Sequence, residues 1–119
     1  MATHPRVVNL HIEGVLRAGV VYVGRARSAW GLSASVYGNP FPTGTPGVDF
    51  IEQSLARYAA HLDTAGLIEQ ARRELAGRTL ACWCAPRLCH ASLLAFTVDG
   101  DDPDTALGRV LADQHPTLF

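Results

Sequence analysis

Three cysteines and one of the five histidines fall within nine residues, Cys82-Trp83-Cys84-Ala85-Pro86-Arg87-Leu88-Cys89-His90. Thiols and imidazoles hold soft metals, attack electrophiles and move protons near neutral pH. Three chemistries compete for this cluster. In the first, Cys82, Cys84, Cys89 and His90 hold zinc or iron, since residues at i and i+2 of a strand share a face. Zinc modules usually place a second cysteine or histidine pair far along the chain, whereas the spacing here is C-x-C-x4-C-H without such a pair. In the second, Cys89 or Cys84 is a nucleophilic thiolate assisted by Arg87 or His90. A C-x5-R phosphatase loop starting at Cys84 would need arginine at position 90, where the chain has His90. In the third, Cys82 and Cys84 are small apolar core residues beside Trp83, and only the Cys89-His90 corner meets a ligand. His90 is the general acid or base candidate, because an imidazole titrates near neutrality.

The elements around the cluster would place it at the edge of a sheet. A strand is expected at 79–84, where residues 80–84 form a continuous apolar run, and Pro86 must end it because it cannot donate to a ladder and keeps Ala85 extended. From Cys89 onward, Leu93, Leu94 and Phe96 have helical spacing, with no breaker before Gly100. Cys89 and His90 then sit in a first helical turn, where unpaired backbone N–H groups favour a thiolate or another anion. The carboxyl end of a strand beside the amino end of a helix is where open α/β sheets keep their ligands.

Two further strands are expected at 7–12 and 20–23, the second fully apolar and placed at the centre of the sheet. It runs into Gly24-Arg25. Glycine lets backbone approach a ligand closely and arginine grips an anion, although the same pair also suits a plain turn. Residues 26–46 lack periodicity and carry Trp30, Tyr37 and the turn Gly38-Asn39-Pro40-Phe41. A loop of about 20 residues in a compact domain is usually functional. Asn39 could read a ligand or initiate the turn, and Phe41 could stack on a ligand or plug the core. Helices are expected at 49–62, capped by Asp49 with Phe50, Ile51, Leu55, Tyr58, Ala59 and Leu62 inward, and at 67–76, with Arg72, Arg73 and Glu74 in solvent and Gly77 closing it. An acidic turn at 99–104 and a short helix at 105–113 finish the chain before a tail. The turn is too short, and too interrupted by Pro103, for an EF-hand calcium loop.

With 119 residues and 48% hydrophobic side chains, the chain suits one folded domain, 1–119, rather than disorder. All ten basic residues are arginine, so a Schiff-base or P-loop lysine is excluded. A formal net charge of −1 promises no global field for nucleic acid or an anionic membrane. No apolar run approaches the roughly 20 residues of a membrane span, and Met1–Arg6 lacks a signal-peptide pattern. An odd number of cysteines argues against a secreted disulfide framework and for a reducing cytoplasm.

The segments Val21-Tyr22-Val23-Gly24-Arg25, Gly38-Asn39-Pro40-Phe41 and Cys82-Trp83-Cys84-Ala85-Pro86…Cys89-His90 together resemble a bacterial and phage family described as a domain of unknown function, number 4326. The resemblance covers about residues 7–96 and leaves a C-terminal helix and tail, 97–119, outside. It implies a shared site on these residues and no particular reaction. The family often carries an acidic residue where this chain has Ser92.

The elements add up to a small single-domain α/β fold, a Rossmann-like sandwich with a mostly parallel sheet and flanking helices. The expected function is binding, and transferase- or hydrolase-type processing, of a nucleotide, nucleoside or phosphorylated sugar. Gly24, Arg25, Asn39, Phe41 and Arg87 would bind this small anionic ligand, and Cys89, His90 and Cys84 would do the chemistry without a cofactor. The alternative is a non-catalytic accessory module holding zinc or iron on Cys82, Cys84, Cys89 and His90. Nucleic acid is not an expected partner, and a homodimer stays open.

Overall fold

A computed structural model of the chain describes residues 7–10, 19–83 and 89–114. Cys84 and Arg87 lie outside the described residues, as do the tail at 115–119 and the ends of the expected strands 7–12 and 79–84. Three short strands, β1 (Val7–Asn9), β2 (Val20–Tyr22) and β3 (Thr79–Cys82), form one sheet in the order β1-β3-β2. Both pairings are parallel, so the fold is α/β. The strand expected at the centre, 20–23, instead pairs on one side only among the described residues, and β3 takes the middle. Burial follows this order: Leu80, Ala81 and Cys82 are buried, while all three residues of β2 are half-buried.

Register rows run straight across the sheet. Leu80 lies between Val7 and Val21, and Ala81 lies between Val8 and Tyr22. Side chains alternate accordingly. Val7, Val21, Val23, Leu80 and Cys82 face one core, while Val8, Tyr22, Ala81 and Trp83 face a second, smaller cluster with Leu10, Val20 and Leu32. The first core takes residues from four helices: α1 (Ile51–Thr64), α2 (Ile68–Leu75), α3 (His90–Val98) and α4 (Pro103–Gln114). Leu55, Leu62, Leu75, Leu80, Leu93 and Leu94 are all fully buried there, each contributing about 1.5–3 kcal/mol by area.

Helix α1 begins later than its sequence pattern predicts. Asp49 does not cap it; the cap position is Phe50, and the Gln53 side chain accepts the backbone N–H groups of Asp49 and Phe50. Phe50 and Ile51 are exposed rather than part of the inward stripe, because they precede the turn at which the helix meets the core. Helix α2 closes on Gly77, whose φ of 72° is left-handed and costs glycine little. Its Arg72 is not solvated as expected. The guanidinium donates to the carbonyls of Thr97 and Asp101 at 3.0 Å each, neutralising the carboxyl end of α3. In the acidic turn, Asp102 accepts the Thr105 hydroxyl at 2.6 Å at the start of α4. That bond draws its carboxyl below the usual value.

The long loop is packed. Tyr37 is buried, its carbonyl accepts the Tyr58 hydroxyl at 2.7 Å, and its own hydroxyl donates to Glu74. The loop is therefore tied to α1 and α2 together. Burial and the neighbouring Glu74 carboxylate push the Tyr37 phenol well above its ordinary value, so it stays a donor. Tyr58→Phe removes the donor to a buried carbonyl and should destabilise the protein by about 1–2 kcal/mol. Urea denaturation would show this as a lower midpoint at an unchanged slope.

Candidate functional site

A cleft of about 190 Å³ opens where the carboxyl ends of β2 and β3 meet the amino end of α3. Its floor comes from the cysteine-histidine corner. Cys89 is the cap residue of α3, in extended backbone, and its carbonyl accepts the N–H groups of Ser92 and Leu93. His90 opens the helix, and its Nε2 lies 2.6 Å from the Val23 carbonyl, just beyond β2. A carbonyl only accepts, so Nε2 carries the proton and Nδ1 is the basic nitrogen. Burial holds the imidazole pKa below its ordinary value, partly offset by that carbonyl. The ring also stands edge-on to Tyr58, 5.2 Å between centroids.

The wall is aromatic. Trp83 follows β3 on the face opposite Cys82, and its Nε1 donates to the Tyr22 hydroxyl at 2.7 Å. Tyr22 in turn donates to the Arg25 carbonyl. Trp30 meets the indole edge-on at 5.0 Å, and the Arg27 guanidinium lies 4.6 Å from its centroid, a cation–π geometry. Gly24 is required by this wall. A Cβ there would come within 2.5 Å of the Tyr22 oxygen, which Trp83 and Arg25 both hold in place.

The rim is the Gly-Asn-Pro-Phe turn docked on α1. Asn39 Oδ1 accepts the Phe41 N–H at 2.9 Å, and Nδ2 donates to Ser54 at 2.7 Å. Ser54, buried on α1, donates onward to the Phe41 carbonyl. Asn39 thus reaches the cleft while its amide serves chiefly to form the turn.

Gly24, Arg25, Asn39, Cys89 and His90 therefore share one hollow. Phe41 is not among its lining residues. The Asn39–Ser54 lock turns it to α1, where it stands edge-on to His61 at 5.9 Å with Arg57 over its face. Cys84 and Arg87 are outside the described residues. Arg27, Trp83 and Ser54, which the sequence did not assign to ligand binding, are among the further lining residues, with Tyr22, Pro42, Thr43 and Ile51. Ser54 carried a signal, a lone hydroxyl at helical spacing between Ile51 and Tyr58. Arg27 carried a weaker one, a second arginine two residues after Arg25.

Charge in the cleft is one-sided. Arg25 and Arg27 line it, and among the described residues no aspartate or glutamate does. Cys82 and Cys89 are both buried, with their sulfurs 3.2 Å apart. Among the described residues no three histidine, cysteine or carboxylate side chains converge on a metal position, and His90 Nε2 is taken by Val23.

A family model described as a domain of unknown function, DUF4326, matches residues 8–100. The chain belongs to this family. The DUF4326 match runs from β1 through α3, so it holds every lining residue of the cleft and leaves α4 beyond it. No curated protein and no solved structure matches the chain. Among the described residues, no helix is long and apolar enough to cross a membrane.

The His90 geometry has a pH signature. Its folded pKa lies below the unfolded value of 6.5, so the stability it supports is complete above that value and is lost as pH falls through the folded one. His90→Gln can keep a donor to Val23 but cannot titrate. Between about pH 7 and 5, the melting point of the parent chain should fall further than that of His90→Gln. Parallel pH profiles would contradict the buried, neutral imidazole.

Proposed function

We propose that this chain binds a small anionic ligand with a flat ring, a nucleotide, nucleoside or phosphorylated sugar, and processes it by transfer or hydrolysis. The observation that carries the reading is the composition of the cleft: two arginines with no carboxylate lining it among the described residues, beside an indole wall and above the Cys89-His90 corner. Arg25 and Arg27 would hold the anion, as guanidinium forks suit phosphate oxygens. The amino end of α3 adds to the same field. Trp83 offers the ring a face once Arg27 moves to the anion. His90, neutral near pH 7, could accept a proton at Nδ1, and Cys89 is the nucleophile nearest to it in the chain. The cleft volume lies below the roughly 300 Å³ at which drug-sized pockets begin. It therefore suits one ring with its sugar or phosphate at the mouth, not a dinucleotide. A reducing cytoplasm fits two buried, adjacent thiols.

Thermal denaturation with nucleosides, nucleoside monophosphates and sugar phosphates tests this reading. At about a hundred times Kd, linkage supplies about 2.7 kcal/mol and a melting point higher by roughly 10 °C. Arg25→Ala and Arg27→Ala should each remove most of that rise. A panel that leaves the parent protein unmoved would defeat the proposal. One equivalent of zinc or iron in the purified protein, lost in Cys84→Ser, would favour the non-catalytic metal module instead.

A further inference from the structure

Cys82 and Cys89 come from different elements, the end of β3 and the cap of α3, yet their sulfurs approach to 3.2 Å. A disulfide needs about 2.05 Å, so roughly a further ångström of approach joins them. The two residues are only seven positions apart, one ending a strand and the other capping a helix. Cys89 lines the cleft and Cys82 lies behind it in the helical core. Both side chains are buried, so a small oxidant reaches the pair from the cleft through local opening at Cys89, and Cys82 can resolve what forms there.

We propose that Cys82 and Cys89 are a redox-modifiable pair, which hydrogen peroxide, small enough to enter the cleft, converts to an intrachain disulfide. Cys89 sulfur attacks one peroxide oxygen. The S–O bond forms, the O–O bond breaks, and the departing hydroxide takes the thiol proton as water, leaving a sulfenic acid. Cys82 sulfur then attacks Cys89 sulfur. The S–S bond forms, the S–O bond breaks, and the second hydroxide leaves as water with the Cys82 proton. Two thiols lose two electrons and peroxide becomes two waters. The pairing stands independently of any ligand. Its consequence for the cleft rests on the proposed function: the disulfide draws Cys89 sulfur toward Cys82 and withdraws the nucleophile from the ligand.

The test uses the reduced full chain treated with a slight excess of peroxide and then with an alkylating reagent. Two of the three thiols should be blocked from alkylation, with a mass loss of about 2 Da that dithiothreitol reverses. Cleavage after arginine separates Cys89 from the peptide holding Cys82 and Cys84, so a linked peptide reports pairing, and fragmentation of it distinguishes Cys82 from Cys84. The link should persist in Cys84→Ser and vanish in Cys82→Ser. If Cys82→Ser fails to fold, the fragmentation pattern of the parent chain decides. A link between Cys89 and Cys84, or accumulation of sulfinic acid without a link, overturns the pair. In the ligand arm, the oxidised chain should lose at least half of the melting-point rise that the reduced chain shows with its best ligand. An oxidised chain that shifts fully, or a reduced chain that does not shift, overturns the gating and leaves the pairing to the digest.

Discussion

Strand β3 is hydrogen-bonded on both sides and buried through Leu80, Ala81 and Cys82. A one-residue slip would exchange Leu80 and Cys82 for Ala81 and Trp83, driving the indole into the helical core and the thiol to the opposite face. Register at this strand therefore decides which chemistry goes where. It sends Cys82 inward to meet Cys89 and sends Trp83 outward to build the cleft wall with Tyr22. The parallel pairing also puts the ends of β2 and β3 side by side, which is why Gly24, Arg25 and the amino end of α3 become neighbours across more than sixty residues of chain.

The His90–Val23 bond fastens that junction. It fixes the tautomer and holds the first turn of α3 against the end of β2, while burial keeps the imidazole uncharged against the opposing pull of that carbonyl. Positive charge in the cleft comes instead from Arg25 and Arg27, on a loop outside the core, where solvation costs them little. A neutral base beside fixed cations is a sound division of labour for an anionic ligand, because a charged imidazole there would gain attraction but lose basicity.

Much of this arrangement was readable from residue patterns. A continuous apolar run ended by Pro86 marked β3, and helical spacing marked α1, α2 and α3, since both signals report burial. The placement of Arg25, Asn39 and His90 at one hollow followed from the rule that ligands gather at carboxyl ends of parallel strands. What pattern could not supply was partnership. Asn39 looks the same in a sequence whether its amide faces a ligand or Ser54, and Phe41 whether it stacks on a ligand or packs edge-on against His61. Arg72 reads as a solvated helix charge because nothing local reveals that the end of α3 lies within its reach. The centre of the sheet was misplaced for a similar reason: Val20–Val23 is as apolar as β3, and hydrophobicity alone does not count neighbours.

The two sides of the cleft are built from different materials. The floor belongs to the helical core and loosens only when that core does. The rim loop is seated on α1 and α2 by polar links, Asn39 to Ser54, Tyr58 to Tyr37 and Tyr37 to Glu74, together with the buried Tyr37 ring. Breaking a few such links is cheaper than exposing six leucines. Rim and floor thus answer to different forces, hydrogen bonds at Asn39 and Ser54 on one side and leucine packing beneath Cys89 and His90 on the other.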